Sequence, residues 1–178
     1  MRVTGGNLKG RRIAAPGGRD IRPSTDKLRE AIFSIIGDDI IGARVADLFC
    51  GSGALGIEAL SRGADYALFV DSSRRNIINL KKNLEDLGIM GNSDLKVMDA
   101  LKIRPKMLEN LSLVLADPPY KQGLGDRLIS LFCLPKFDWH GILVLEHEPD
   151  WVYARKEMEI LNRKVYGDMA VSFLRKKS

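Results

Sequence analysis

Four short apolar runs along the chain each end in an acid. Val45-Ala46 leads into Asp47, Tyr66-Ala67-Leu68-Phe69-Val70 into Asp71, Leu95-Lys96-Val97-Met98 into Asp99, and Ser112-Leu113-Val114-Leu115-Ala116 into Asp117. Apolar runs of this length, bounded by turn residues, predict buried strands of a parallel sheet. Between them, Leu28, Ala31, Ile32, Ile35 and Ile36 recur at helical spacing until Gly37, and Ile77, Leu80, Leu84 and Leu87 do so until Gly88. A shorter amphipathic segment covers Ile57 to Arg62, and Ser24, Thr25 and Asp26 offer N-caps for the first helix. Three more strands are predicted at residues 141–146, 157–166 and 169–175. Gly167-Asp168 joins the last two as a two-residue hairpin turn, which makes them antiparallel. The pattern predicts an α/β fold with seven strands, mostly parallel, helices on both faces and the last strand reversed.

The richest local pattern is Asp47-Leu48-Phe49-Cys50-Gly51-Ser52-Gly53-Ala54-Leu55-Gly56, which reads as strand, glycine loop and helix start. Gly51 and Gly53 can take positive φ and bring backbone close to a ligand, while the helix start offers N–H donors. Gly51-x-Gly53-x-x-Gly56 also fits the dinucleotide fingerprint. Asp47 separates the two readings, because a carboxylate here repels a pyrophosphate and attracts the ammonium and sulfonium of S-adenosylmethionine. Asp71 stands about 20 residues beyond the loop, where a carboxylate meets ribose; an N-cap role for the next helix is compatible with that. Asp99 suits either an adenine amino group or an N-cap before Leu101. Ligands of open α/β sheets bind beyond the carboxyl ends of the strands, so Asp47, Asp71, Asp99 and Asp117 are expected on one crevice.

Charge adds a partner to this picture. The 178 residues carry a net charge of +5, and Arg2, Lys9, Arg11, Arg12, Arg19 and Arg22 oppose only Asp20 within residues 1–22. The whole excess lies there. Alternating apolar, glycine and basic residues from Arg2 to Ala14 predict a small β-hairpin with cations on one face, ended by Pro16-Gly17-Gly18. We therefore expect a basic hairpin extension at residues 1–22 on a domain covering 23–178, together forming one core. A cationic arm on a neutral body points to nucleic acid, with those six cations as phosphate contacts. No apolar run approaches the ~18 residues of a membrane span, and the first residues do not read as a secretory signal, so a cytoplasmic monomer is expected. Cys50 and Cys133 fit a reducing compartment as small core residues. His140 and His147 stand isolated and read as structural, and no metal is expected.

Asp47-x-Phe49-x-Gly51-x-Gly53 together with Asp117-Pro118-Pro119-Tyr120 resembles the class I S-adenosylmethionine-dependent methyltransferases, Rossmann-like enzymes, and among them those that act on exocyclic amino nitrogens. Residues 2–6, Lys9-Gly10-Arg11, the stretch from Arg22 to Phe33 and the stretch from Leu55 to Ala64 extend the likeness. Over nearly the whole chain, from Arg2 to Asp168, it is similar to the RsmD family. That resemblance implies methyl transfer from S-adenosylmethionine, leaving S-adenosylhomocysteine, to the N2 amine of one guanine in bacterial small-subunit (16S) ribosomal RNA. The RNA could be met alone or as an assembling 30S particle with ribosomal proteins. It implies cofactor contacts at Asp47, Phe49, Gly51, Gly53, Asp71, Asp99 and Ala100, and catalytic roles for Asp117, Pro118, Pro119 and Tyr120. Cys50 departs from the family's usual alanine and Ser24 from its usual threonine; both are small.

The tetrapeptide has a chemical logic. An aryl amine's lone pair is delocalised into the base. If Asp117 accepts one amino N–H and the Pro118 carbonyl the other, the nitrogen is held toward tetrahedral geometry with its lone pair aimed at the methyl carbon. Tyr120 would stack on the base and Pro119 would stiffen the loop. Adenine-N6 DNA methyltransferases share the tetrapeptide but generally need a target-recognition region for which this chain has no spare segment. Glutamine methyltransferases usually carry Asn in place of Asp117. A nicotinamide oxidoreductase leaves the tetrapeptide unexplained, and a non-catalytic RNA-binding assembly factor would not require it intact.

Overall fold

A computed structural model of the chain describes residues 1–15, 23–119, 123–152 and 156–177. Helix α1 (Pro23–Ile36) precedes β1 (Arg44–Leu48), α2 (Ala54–Ser61), β2 (Tyr66–Asp71), α3 (Arg74–Leu87) and β3 (Ser93–Val97). There follow α4 (Pro105–Leu108), β4 (Leu113–Ala116), α5 (Leu124–Phe132), β5 (Ile142–His147), β6 (Met158–Tyr166) and β7 (Met169–Lys176). The seven strands form one sheet in the order β3-β2-β1-β4-β5-β7-β6. Strands β1 to β5 are parallel, and β7 runs antiparallel between β5 and β6. The expected hairpin is there: Gly167 takes φ +61° in the turn between β6 and β7.

Alternation along each central strand divides the core between the two faces. Val45, Phe69 and Leu115 pack with Leu28, Ile32 and Phe33 of α1, Ile57 of α2 and Leu80 and Leu84 of α3. Ala46, Leu48, Val70, Val114 and Leu145 point the other way, against Leu108 of α4 and Leu128, Ile129 and Phe132 of α5. Strand order reverses between β1 and β4, which opens a crevice at their carboxyl ends. Helix α1 begins at Pro23, where a fixed φ and a missing N–H suit a first turn, so Ser24 and Thr25 lie inside the helix, past the N-cap position.

Residues 1–15 are less regular than the expected hairpin. One antiparallel bridge, Arg2 with Arg12, is flanked by backbone bonds from Ile13 N to Met1 O, from Val3 N to Arg11 O and from Gly10 N to Val3 O. No ladder forms beyond this bridge, because the segment is shaped by α2 as much as by itself. Thr4 bonds Glu58 through both N and Oγ1, Asn7 N donates to the Ser61 carbonyl, and Leu8 N donates to Ser61 Oγ. Val3 and Ile13 are buried in the α1–α3 side of the core. Pro16, Gly17, Gly18, Arg19 and Arg22 lie outside the described residues.

Candidate active site

The crevice is built from strand ends. After β1 the chain turns through Phe49, a non-glycine residue at φ +59°, then Gly51 and Gly53 at φ +53° and +79°. Left-handed backbone at three of five consecutive positions is what lets the loop double back before α2. At Gly53 a Cβ would also drive into the Leu80 side chain. Phe49 stands in the motif, but nothing in the sequence signals this conformation.

Two carboxylates hold the loop. Asp47 Oδ2 accepts from Gly56 N at 2.9 Å, tying the end of β1 to the first turn of α2. Asp71 Oδ2 accepts from Gly51 N at 2.8 Å and from Asn76 Nδ2 at 3.2 Å, while its Oδ1 accepts from Ser73 N at 2.7 Å. Ser73, not Asp71, caps α3, accepting from Asn76 N. Asp99 Oδ1 accepts from Leu101 N, so Asp99 does cap the short turn Ala100–Lys102.

Two cavities occupy the rim and meet at a single point. One, of about 220 Å³, is lined by Asp47, Cys50, Arg29, Glu146 and neighbouring loop residues. The other, of about 330 Å³, is lined by Asp71, Ser72, Ser73, Asn76, Asp99, Ala100 and Pro119. Phe49, Gly51 and Asp117 belong to both. The four strand-end acids therefore do converge on one rim, with Asp117 at the junction. Gly53 shapes the loop without lining either cavity. A wider cavity of about 530 Å³ lies at the opposite ends of β4 and β5, around Ser112, Trp139 and Gly141. It holds neither the glycine loop nor the strand-end acids.

The electrostatics of the crevice are those of crowded acids. Burial pushes the Asp47 carboxyl well above its ordinary value, against the Gly56 hydrogen bond, and the charges of Asp117 and Asp71 add to the shift. Glu146 is raised by burial and by Asp117 and Asp47, with Arg29 pulling the other way. Asp117 is open to solvent on the crevice side, yet desolvation by the surrounding walls pushes its carboxyl up to about 6. Cys50 is buried beside these acids and its thiol is pushed far up, which leaves it an inert core residue.

Arg29 and Glu146 were not singled out from the sequence. Arg29 is buried, and its guanidinium donates to Glu58, Asp26 and the Arg2 carbonyl while lining the first cavity. Beyond Pro118 and Pro119, a small cavity of about 40 Å³ is walled by Glu146, His147, Asp126 and Trp151. His147 bonds Ser172 Oγ and stacks on Trp151 at 4.4 Å; burial lowers its pKa below the ordinary 6.5, and it serves here as a neutral packing group. Tyr120 lies outside the described residues. Among the described residues no group of three or more His, Cys, Asp or Glu is placed to hold a metal, and no helix is long and apolar enough to cross a membrane.

Strand order, glycine loop and a paired cavity at the β1/β4 switch point define a Rossmann-like fold of the methyltransferase type. Residues 1–175 match the family described as Conserved hypothetical protein 95, and the chain belongs to that family, the RsmD family. It is 34% identical to the candidate rRNA methyltransferase YlbH of Bacillus subtilis over 99% of this chain and 100% of the relative. It is 36% identical to Ribosomal RNA small subunit methyltransferase D of Escherichia coli K12, over 74% of this chain and 66% of that protein. A solved structure of the candidate methyltransferase yhhF from Escherichia coli superposes with a TM-score of 0.83 at 30% identity, covering 100% of this chain and 98% of that one.

Proposed function

We propose that the protein transfers the methyl group of S-adenosylmethionine to the exocyclic N2 of a guanine in small-subunit ribosomal RNA. The observation that carries this reading is the meeting of the two cavities at Phe49, Gly51 and Asp117. A long ligand with two dissimilar ends fits such a crevice. Its nucleoside end suits the side with Asp71, Ser73, Asn76, Asp99 and Ala100, and its amino-acid end the side with Asp47 and Arg29. The Asp47 carboxylate favours an ammonium, and the Arg29 guanidinium faces a carboxylate. Bound in this way, S-adenosylmethionine supplies an electrophilic methyl on a cationic sulfur.

The chain's own residues do the rest by orientation and charge. Asp117 sits at the junction and accepts one N–H of the target amine, while the Pro118 carbonyl accepts the other. The nitrogen lone pair forms the new N–C bond as the S–C bond breaks to the sulfur, and one amine proton then leaves through Asp117 to solvent. No covalent enzyme intermediate is involved. Tyr120 follows the two prolines directly and would stack on the base. The target base has to leave any stack to reach this depth, at a cost of a few kcal/mol unless it sits in a loop.

The exposed cations Arg2, Lys9, Arg11 and Arg12 of the segment docked on α2 supply the phosphate contacts, with Arg19 and Arg22 continuing the same basic stretch. Purified protein given labelled S-adenosylmethionine with small-subunit rRNA, assembly particles or DNA, alongside Asp117→Ala, tests the reading. N2-methylguanosine formed on RNA or particles and lost in the variant is the expected result. N6-methyladenine in DNA would overturn the substrate, and transfer to none of them, with cofactor bound, would overturn the activity.

A further inference from the structure

Glu146 is a buried carboxylate, 6% exposed, with no hydrogen-bond partner among the described residues. Buried polar groups are almost always partnered, and an unpartnered carboxylate is costly. A packing role does not account for it, since an apolar side chain would fill the place at less cost. Arg29 lines the same cavity, but its hydrogen bonds to described acids run to Glu58 and Asp26.

Its position is specific. Ala116 of β4 pairs in register with Leu145 of β5, so Asp117 and Glu146 are the next residues on neighbouring parallel strands. Adjacent strands lie about 4.8 Å apart. Both acids follow residues that face α4 and α5, so both turn to the opposite face, toward the glycine loop and the 220 Å³ cavity. Glu146 also walls the small cavity beyond Pro118 and Pro119. Among the described residues it alone lines both, and so stands between the cofactor side and the place where a base must lie for Asp117 to hold its amine.

We infer that Glu146 selects the base, accepting the N1–H of guanine while Asp117 accepts an N–H of the adjacent N2 amine. This rests on the guanine-N2 reading above and deepens it. Two neighbouring carboxylates match an edge that presents two neighbouring donors. Adenine presents an unprotonated N1 at the corresponding position, whose lone pair is repelled by the ionised carboxylate, the form that the N1–H of guanine stabilises. Sites built to hydrogen-bond a substrate N–H reject analogues lacking it far more strongly than apolar pockets reject a missing methylene.

The test uses the RNA or particle that the wild-type protein methylates, prepared with guanosine or with 2-aminopurine at the target position. 2-Aminopurine keeps the exocyclic amine but has no proton on N1. The wild type is expected to prefer guanosine in kcat/KM by at least about a hundredfold. Glu146→Gln, whose amide can donate as well as accept, should lose most of that preference, while its affinity for S-adenosylhomocysteine by calorimetry stays within about twofold of wild type. The missing O6 of 2-aminopurine weighs on both proteins alike and cancels in the comparison. Equal use of both bases by the wild type, or an undiminished preference in Glu146→Gln, overturns the inference and leaves the guanine reading standing. Loss of S-adenosylhomocysteine binding in Glu146→Gln overturns it by placing Glu146 among the cofactor contacts. Failure of the wild type to methylate guanosine overturns the guanine reading, and this inference with it.

Discussion

Asp117 has two demands on it that oppose each other. In the proposed reaction it must be ionised to accept an amine proton, yet it sits where ionisation is disfavoured, with its carboxyl pushed up to about 6. Single-turnover methyl transfer should therefore rise with pH through about 6 and level off above it. The limb belongs to the cluster of Asp117, Glu146 and Asp47 and not to one group alone, since the Asp117 charge raises both of the others. The stability effect runs in the other direction. The folded carboxyl lies above its ordinary 3.8, so between 3.8 and 6 the folded state holds more protons than the unfolded chain, and stability falls as pH rises across that window. Asp117→Asn should thus cost about 10²-fold or more in rate while raising stability at neutral pH; because the group is open to solvent, the gain is held to under about 1 kcal/mol. Urea denaturation of both proteins at pH 7 checks the sign, and a less stable variant would contradict it. Much of this site was legible at the level of single residues because a strand followed by an acid, and glycines two apart, are patterns that chain geometry makes visible. Glu146 and Arg29 were not legible. A buried charge inside an apolar run or on a helix leaves no periodic trace, and only the fold shows that these two face the crevice.

At the level of elements, the parallel strands, α1, α3 and the closing hairpin follow from period and turn chemistry. Helix α5 does not appear in that reading, although Leu124, Leu128, Ile129 and Phe132 repeat at helical spacing, because the segment after the two prolines reads first as loop. β3 is an edge strand, mostly exposed or half-buried, and starts at Ser93, two residues before the predicted Leu95. The N-terminal segment is the element whose structure is least its own. It hangs on Glu58, fully buried in α2, which accepts from Thr4 N at 2.9 Å, Thr4 Oγ1 at 2.7 Å, Arg62 Nε at 2.8 Å and Arg29 Nε at 3.1 Å. Burial pushes this carboxyl up, but the Thr4 bonds and the Arg62 and Arg29 cations outweigh it and hold it below its ordinary value. Glu58→Ala takes from buried Arg29 one of its two acidic partners and from Thr4 and Arg62 their shared acceptor, and should cost about 3–5 kcal/mol in urea unfolding. The Val3, Gly10 and Ile13 amides, bonded within the segment, should lose hydrogen-exchange protection ahead of the sheet. Unchanged protection there would show that burial of Val3 and Ile13 alone holds the segment.

Across the whole molecule, charge and crevice are joined through that same segment. Arg29 donates to the Arg2 carbonyl at 2.6 Å, to Glu58 and to Asp26 while facing the cavity that contains Asp47. The basic surface is thus fixed to the wall of the crevice, so that, in the proposed reading, phosphates held there would bring the flanking strand toward Asp117. Arg2, Lys9, Arg11 and Arg12 are all exposed; Arg11 is steadied by the Asp86 carbonyl and Arg2 by that of Gly10, bonds that leave both charges in place. Four single-strand phosphate contacts predict that log K for RNA falls with log salt at a slope near about −3, steepening toward about −4 if Arg19 and Arg22 also engage. Replacing Lys9 and Arg12 by Glu removes two such contacts and adds two repulsions. In a filter-binding titration the slope should shrink by about 1.4 or more and affinity should fall at every salt concentration. Neither side chain lines the crevice, so S-adenosylhomocysteine affinity should stay as in the wild type. An unchanged slope would remove this segment from the RNA contact and move the search to Lys and Arg residues elsewhere on the rim.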